Sequence, residues 1–233
     1  MATAQITQPK ARFSGARNLA TRTFWRASLP LLSVWKGAAT IVWAVSDNSK
    51  RVPFYAKSAL AKANALINLG LACYQSNHIE RANRALGKAV TILNALNRDM
   101  PQSLDMTWTA RTDDRAYGEY LLYSGHLSKM YAKYYGAEVK MKGQQAEVDN
   151  VSTSLSRAAS FYRQAAGRLE QGIYLVDKKQ ARTCWLLAKK TYGQLMVHHT
   201  DLTTDEAVIN AFHNETYANQ QVERVTQVIW WKR

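Results

Sequence analysis

Residues 53–96, PFYAKSALAKANALINLGLACYQSNHIERANRALGKAVTILNAL, carry the clearest structural pattern of this chain. Apolar and small residues recur there at three- and four-residue spacing, which is typical of the buried face of an α-helix. The first half contributes Ala59, Ala63, Leu66, Leu69, Gly70 and Cys73, and the second Ala82, Leu86, Ala89, Val90 and Leu93. The polar break at 75–78 is long enough only for a tight reversal. The pattern predicts two helices, at 53–74 and 79–96, packed as an antiparallel hairpin.

The composition extends the helical prediction to the whole chain. Of the 233 residues, 47% are hydrophobic, whereas only four are proline and 11 are glycine, so a sizeable core is available and many tight turns are not. Further helical patterns begin near residues 112, 151, 177 and 204. We therefore predict an all-α protein, an antiparallel helical bundle of six or seven helices. Its expected organisation is a basic N-terminal arm over 1–26 and a single bundle over 27–233, with a possible sub-boundary near 99–111.

The most apolar window is LPLLSVWKGAATIVWAV, residues 29–45. A membrane-spanning helix needs roughly 20 predominantly apolar residues, and Lys36 lies at the middle of this shorter window. We therefore expect a buried helix, with Leu32, Trp35, Ala39, Val42 and Trp43 on its inner face, and no membrane partner. A subunit anchored in a membrane through residues 29–45 is the third-ranked alternative.

Charge is the second strong signal. Lys and Arg number 31 against 17 Asp and Glu, giving a net charge of +14, and the first 46 residues contain no acid. Such a segment is expected to seek anionic surfaces. Candidate phosphate-contacting residues are Lys10, Arg12, Arg17, Arg22 and Arg26 in the arm, and a helical cluster of Lys178, Lys179, Arg182, Lys189 and Lys190. A transit peptide and a solvated basic tail are the alternatives for the arm.

Catalytic and metal-binding motifs are not found in the sequence. It contains no GxGxxG, GxxxxGK or HExxH pattern. Adjacent His198 and His199 point to different helix faces, so we expect no metal there. Cys184 lies beside Arg182, but a buried helical cysteine is the expected state. We therefore predict a protein that is not an enzyme and carries no cofactor.

The hairpin region resembles the tetratricopeptide repeat over residues 63–96. Aligned on Leu69-Gly70, the sequence places Ala82, Leu86 and Ala89 at the offsets where that repeat has its packing residues. The resemblance implies one helix pair of the kind that stacks into a solenoid. A solenoid requires about three repeats, and the sequence shows no second copy.

Residues 27–165 resemble the flagellin export chaperone family, whose members are small four-helix bundles. The matching segments are Ala27-Ser28 with Leu32, Trp35 and Gly37-Ala38, then IERANRALGKAVTILNAL from Ile79, and the tyrosine-containing stretch from Tyr117 to Tyr135. The match requires a long insertion between its first two segments. The resemblance implies a scaffold that holds a protein partner.

Two functions are expected from these features. The first is a non-catalytic basic assembly protein that contacts nucleic-acid phosphates, with low sequence specificity, in a larger complex of virion or ribonucleoprotein type. The alternative is a protein-binding module, or an export-chaperone-like scaffold, that holds an amphipathic or disordered peptide. Its candidate contact residues are Trp35, Leu69, Tyr117, Trp230 and Trp231. Either function implies an oligomer or hetero-complex. In the absence of a secretory signal we expect an intracellular protein, with organellar import less favoured.

Overall fold

The computed structural model describes residues 22–24, 26–34, 48–103, 114–143, 145–200 and 205–231, and these contain no strand. Six long helices account for most of them. They are α1 (Asn48–Gln75), α2 (Ile79–Ser103), α3 (Asp114–Lys142), α4 (Gln145–Gln171), α5 (Leu175–Thr200) and α6 (Asp205–Trp231). Residues 22–24 and 26–34 form a further, shorter helical stretch. The prediction of an all-α helical bundle with six or seven helices is confirmed.

Several helix ends differ from the sequence prediction. Helix α1 begins at Asn48, before Pro53, and α2 continues to Ser103 because buried Met100 still packs on the core. Helix α4 ends at Gln171, so Ile173, which the pattern placed on the buried stripe of this helix, is 78% exposed in the following turn. The predicted sub-boundary near 99–111 falls largely on residues outside the described ranges.

The reversals between helices use local backbone chemistry. Asn77 has a φ of 58°, the left-handed conformation that asparagine tolerates better than most residues. His78 then donates its backbone N–H to the carbonyl of Cys73 at 2.9 Å. Gly143 has a φ of +65° and its N–H bonds to the Val139 carbonyl at 2.8 Å, which caps α3. The predicted break at Gly143 is confirmed.

The helices pack mainly against their neighbours in the sequence. Helices α1 and α2 form the first hairpin and both contact α3; α3 packs on α4, α4 on α5, and α5 on α6. Helix α3 is shared by two hydrophobic cores. Its Tyr123 and Leu127 belong to the core with α1 and α2, whereas Leu121 and Leu122 belong to the core with α4 and α5. The bundle is therefore organised around α3, which is buried on more than one face.

The first hairpin is packed closely through its small residues. A Cβ atom added to Gly70 would lie 3.1 Å from the side chain of Leu86, and Ala82 and Ala89 are completely buried. This close approach of α1 and α2 explains the small residues at the positions that resemble a tetratricopeptide repeat. The resemblance itself stays a prediction.

The apolar window at 29–45 is described only to residue 34. Leu29 packs on the core with α1 and α2, whereas Leu31 and Val34 are 74% and 72% exposed. The helical residues 29–34 therefore have one face toward the bundle and one toward solvent. Leu32, which was predicted on the inner face, is partly buried. Trp35, Ala39, Val42 and Trp43 lie outside the described residues. Within the described part of the chain, no helix is long and apolar enough to cross a bilayer.

Candidate functional site

A cleft of about 860 Å³ opens between α1, α3, α4 and α5. Its volume is within the range of sites that bind small molecules or peptide side chains. Each helix contributes residues at helical spacing, so one face of each helix lines the cleft. These residues are Lys57, Leu60, Ala61 and Asn64 on α1; Tyr123, His126, Lys129, Met130, Ala132 and Lys133 on α3; Val151 and Leu155 on α4; and Gln194, Val197 and His198 on α5.

The charge of the cleft is entirely positive. Lys57, Lys129 and Lys133 line it, and no Asp or Glu does so within the described residues. None of these lysines takes part in the ion pairs of that part of the chain. Burial lowers the pKa of Lys129 and of Lys133, and the neighbouring charge of Lys190 lowers that of Lys129 further. An anion in the cleft would relieve both unfavourable effects.

Two asparagines hold one of these lysines in place. The ammonium group of Lys133 donates to the side-chain oxygens of Asn64 and Asn68, the second at 2.7 Å. Both asparagines are on α1, and Lys133 is on α3, so the bonds join the two helices across the cleft. Amide oxygens carry no net charge, and Lys133 therefore keeps its full positive charge available for a ligand.

His126 adds a neutral polar group to the cleft wall. Burial, with smaller contributions from Lys129 and Lys57, lowers the pKa of His126 to about 4. Its Nδ1 lies 2.9 Å from the hydroxyl of Tyr162, and the two rings meet edge to face at 5.3 Å. The imidazole is therefore uncharged near neutral pH, and the positive charge of the cleft resides on the lysines.

The remaining surface of the cleft is mostly aliphatic. Leu60 and Leu155 belong to the two hydrophobic cores, while Val197 is 60% exposed at the rim. Of the aromatic rings, Tyr123 lines the cleft but is only 6% exposed. The cleft thus combines aliphatic contact area with ammonium groups that are in no ion pair with another described residue. Such a lining suits a ligand that carries both acidic groups and aliphatic groups.

The structure divides the basic cluster predicted on α5 into two groups. Arg182 donates to the hydroxyl of Thr226 at 2.7 Å, and Lys189 donates to the side-chain oxygen of Asn219 at 2.8 Å, so both join α5 to α6. Lys178 donates to the backbone carbonyl of Glu170 on α4. These three residues share one face of α5, and their hydrogen bonds hold neighbouring helices.

Lys179 and Lys190 lie on a different, exposed face of α5. Neither forms an ion pair with another described residue, and Lys190 is close enough to affect the pKa of Lys129 in the cleft. In the predicted arm, Arg22 and Arg26 are among the helical residues 22–24 and 26–34, and Arg26 is exposed. Lys10, Arg12 and Arg17 lie outside the described residues. Phosphate contact at these residues stays a prediction.

Of the residues predicted to contact a protein partner, those that the structure describes do not line the cleft. Leu69 is half-buried on α1, and Tyr117 at the start of α3 stacks on Tyr120 at 6.1 Å, with the Arg168 guanidinium 5.3 Å from the centre of its ring. Trp230 and Trp231 are 68% and 90% exposed at the end of α6. Trp35 lies outside the described residues. The described members therefore lie on three separate helices.

Sequence reasoning missed the cleft lysines as a group. Lys57 lies on α1, whereas Lys129 and Lys133 lie on α3. In the sequence each has the pattern of an ordinary polar residue on a helix surface. Only the packing of α1 on α3 brings them together. A local signal was present only on α3, where Lys129 and Lys133 are four residues apart and so share a helix face.

The histidines and the cysteine considered for metal binding or reactivity, His198, His199 and Cys184, are among the described residues. No group of His, Cys, Asp and Glu in the described ranges could hold a metal ion. His198 and His199 lie in the last turn of α5, where their Nε2 atoms are 3.2 Å from the Val148 carbonyl and 3.4 Å from the Ser152 hydroxyl. Cys184 is completely buried, and this burial raises the pKa of its thiol to about 12, so it is the expected structural cysteine.

No family model, no curated protein and no solved structure matches this chain.

Proposed function

We propose that this chain is a non-catalytic binding subunit of a larger assembly, and that its cleft binds an acidic segment of a partner protein. One observation carries the proposal: three lysines without a carboxylate partner line a cleft whose other walls are largely aliphatic. An acidic segment with aliphatic side chains would match both parts of this lining. A hydrophilic anion would leave the aliphatic part without a contact.

The energetics favour a ligand that brings carboxylates. Lys129 is partly desolvated and its pKa is lowered, so its charged state is costly in the empty cleft. A charge-assisted hydrogen bond to a carboxylate contributes roughly 1.5–3 kcal/mol when both groups are withdrawn from water. Aliphatic side chains against Leu60, Leu155 and Val197 would add about 25 cal/mol for each Å² removed from water.

Contact with nucleic-acid phosphates is the second candidate function. It is favoured by Lys190, whose charge acts on Lys129 of the cleft, by Lys179 on the same exposed face of α5, and by the acid-free N-terminal segment. Phosphate contacts need such spaced cations, whereas recognition of single-stranded bases also needs exposed aromatic rings. Among the described residues, the aromatic rings in the cleft lining are those of Tyr123, which is largely buried, and of His126, which contacts Tyr162. Under this candidate, binding depends on backbone charge and shows low sequence specificity.

Neutralising the cleft lysines tests the first candidate. The probe is an amphipathic helical peptide with Glu on one face and Leu on the other. The double variant Lys129→Gln/Lys133→Gln should bind it at least about tenfold more weakly than the unchanged protein does. Arg81→Gln/Lys140→Gln is the matched control, because it removes the same charge from exposed positions that do not line the cleft. Fluorescence anisotropy of the labelled peptide measures both affinities.

The same titrations separate the two candidates. Equal weakening by the cleft variant and the control would mean that net charge alone drives peptide binding, and would overturn the proposed cleft. The affinity for a fluorescently labelled single-stranded nucleic acid should be measured over about 50–300 mM salt, a range in which phosphate contacts lose affinity steeply. Strand binding that shows this steep loss, together with no peptide binding, would favour the nucleic-acid candidate. Binding of neither probe would reject both.

A further inference from the structure

A second pocket, of about 490 Å³, lies between α2, α3 and α4. It uses other faces of α3 and α4 than the cleft does, and no residue lines both. Among the described residues, its lining is mostly uncharged and hydrogen-bonding, with aromatic rings and a single charged residue, Arg157. This chemistry differs from that of the cleft, where lysines and aliphatic groups dominate.

Three serine hydroxyls in this pocket have no hydrogen-bond partner among the described residues. They belong to Ser124 and Ser128 on α3 and to Ser154 on α4. Some helical hydroxyls of the bundle do return to the backbone: Thr91 and Thr191 each donate to the carbonyl four residues earlier, at 2.9 Å and 2.7 Å. The pocket serines do not, although Ser124 is only 6% exposed. Their hydroxyls are available to a ligand.

Aromatic rings form one side of the pocket and are held by their neighbours. The rings of Tyr131 and Tyr135 stack at 6.2 Å with an interplanar angle of 22°. The hydroxyl of Tyr131 donates to the side-chain oxygen of Asn94 at 2.7 Å, which fixes the orientation of that ring across α2 and α3. Phe161 of α4 and Tyr120 of α3 complete the aromatic lining. Rings arranged in this way offer flat apolar area to a planar group.

Arg157 gives the pocket its charge preference. Its side chain is exposed and is in no ion pair with another described residue, and no carboxylate lines the pocket within that part of the chain. A guanidinium group offers paired donors whose geometry matches a phosphate. The hydroxyl of Ser154, one helical turn before Arg157, adds a further donor on the same face of α4.

We propose that this pocket binds a nucleoside monophosphate. The base lies against the tyrosine and phenylalanine rings, the ribose hydroxyls and base edges bond to the serines and to Asn97, and the phosphate pairs with Arg157. Each chemical part of the ligand thus meets a matching part of the lining. The volume of the pocket is within the range of small-molecule sites. This inference is independent of the function proposed for the cleft.

Isothermal titration calorimetry on the full chain tests the proposal. The probes are AMP, adenosine, ribose 5-phosphate and inorganic phosphate. We expect AMP to bind with one-to-one stoichiometry, and adenosine and ribose 5-phosphate each to bind at least about tenfold more weakly, since each lacks one recognised part. Ribose 5-phosphate binding as tightly as AMP would overturn recognition of the base, and no AMP binding at about 5 mM, well above typical ligand affinities, would overturn the site.

Two variants assign AMP binding to this pocket. Arg157→Gln should weaken the binding of AMP about tenfold and leave the affinity for adenosine unchanged, because only the phosphate contact is lost. Ser128→Leu should abolish the binding of both, because its side chain occupies the pocket. Arg81→Gln, an exposed arginine outside the pocket, is the charge-matched control and should change neither. Because Arg157 is exposed, this substitution leaves the fold intact. An unchanged affinity for AMP in Arg157→Gln would therefore contradict AMP binding in this pocket.

Discussion

Substitution of Gly125 by alanine is expected to destabilise the protein by about 2–3 kcal/mol, although alanine is the better helix former. A Cβ atom at this position would lie 2.6 Å from Cε1 of Tyr162. The Tyr162 ring is completely buried on α4, and its hydroxyl lies 2.9 Å from Nδ1 of His126. The ring cannot move aside without losing these contacts, so the helices must separate.

Gly136→Ala provides the matched control for this prediction. Gly136 lies on the same helix, and a Cβ atom there would meet nothing within 4 Å. Alanine at this position should therefore stabilise the protein by up to about 1 kcal/mol through its helix propensity alone. Urea unfolding followed by circular dichroism measures both changes. Similar effects of the two substitutions would contradict the close packing of α3 on α4 at Tyr162.

Acidification is the second change with a large expected effect, and His126 is the residue responsible. Its pKa is about 4 in the folded protein against an ordinary value of 6.5. Between these values the unfolded chain binds more protons than the folded protein, so stability falls as the pH drops from 6.5 toward 4. Above pH 6.5 the His126 imidazole is neutral in both the folded and the unfolded state, so this loss of stability is absent. We expect His126 to account for a loss of about 3 kcal/mol between pH 7 and pH 4.

Comparison with His126→Gln isolates this contribution from the titration of carboxylates. Glutamine keeps a group able to bond to the Tyr162 hydroxyl but cannot titrate. The difference in free energy of unfolding between the unchanged protein and the variant should therefore shift by about 3 kcal/mol, in favour of the variant, from pH 7 to pH 4. Chemical denaturation at several pH values measures this difference. A difference that stays constant with pH would mean that His126 is not desolvated in the fold.

Local patterns in the sequence were sufficient for the helices and several of their ends. The apolar spacing on both sides of residues 75–78 predicted the first hairpin, and Gly143 predicted the end of α3. These predictions succeed because helix periodicity and turn chemistry depend on residues only a few positions apart. Where the pattern failed, as at Ile173, apolar residues continued past the turn that ends α4.

The basic cluster on α5 shows where local patterns are insufficient. Lys178, Arg182 and Lys189 differ from Lys179 and Lys190 only in their positions around one helix. The first three bond to α4 and α6, whereas the other two face solvent. Helical spacing places them on two faces, but the packing of α5 between α4 and α6 determines which face is covered.

By itself, the sequence determined the helical class, the position of most helices and the large positive charge, since each follows from composition or from residues close along the chain. Only the tertiary structure decided that Lys57 joins Lys129 and Lys133 in one cleft, and that Ser154 and Arg157 meet the tyrosines of α3 in one pocket. Both sites combine residues from helices far apart in sequence. The physical reason is that helix periodicity specifies a face of each helix, whereas contacts between helices depend on close packing at residues such as Gly125.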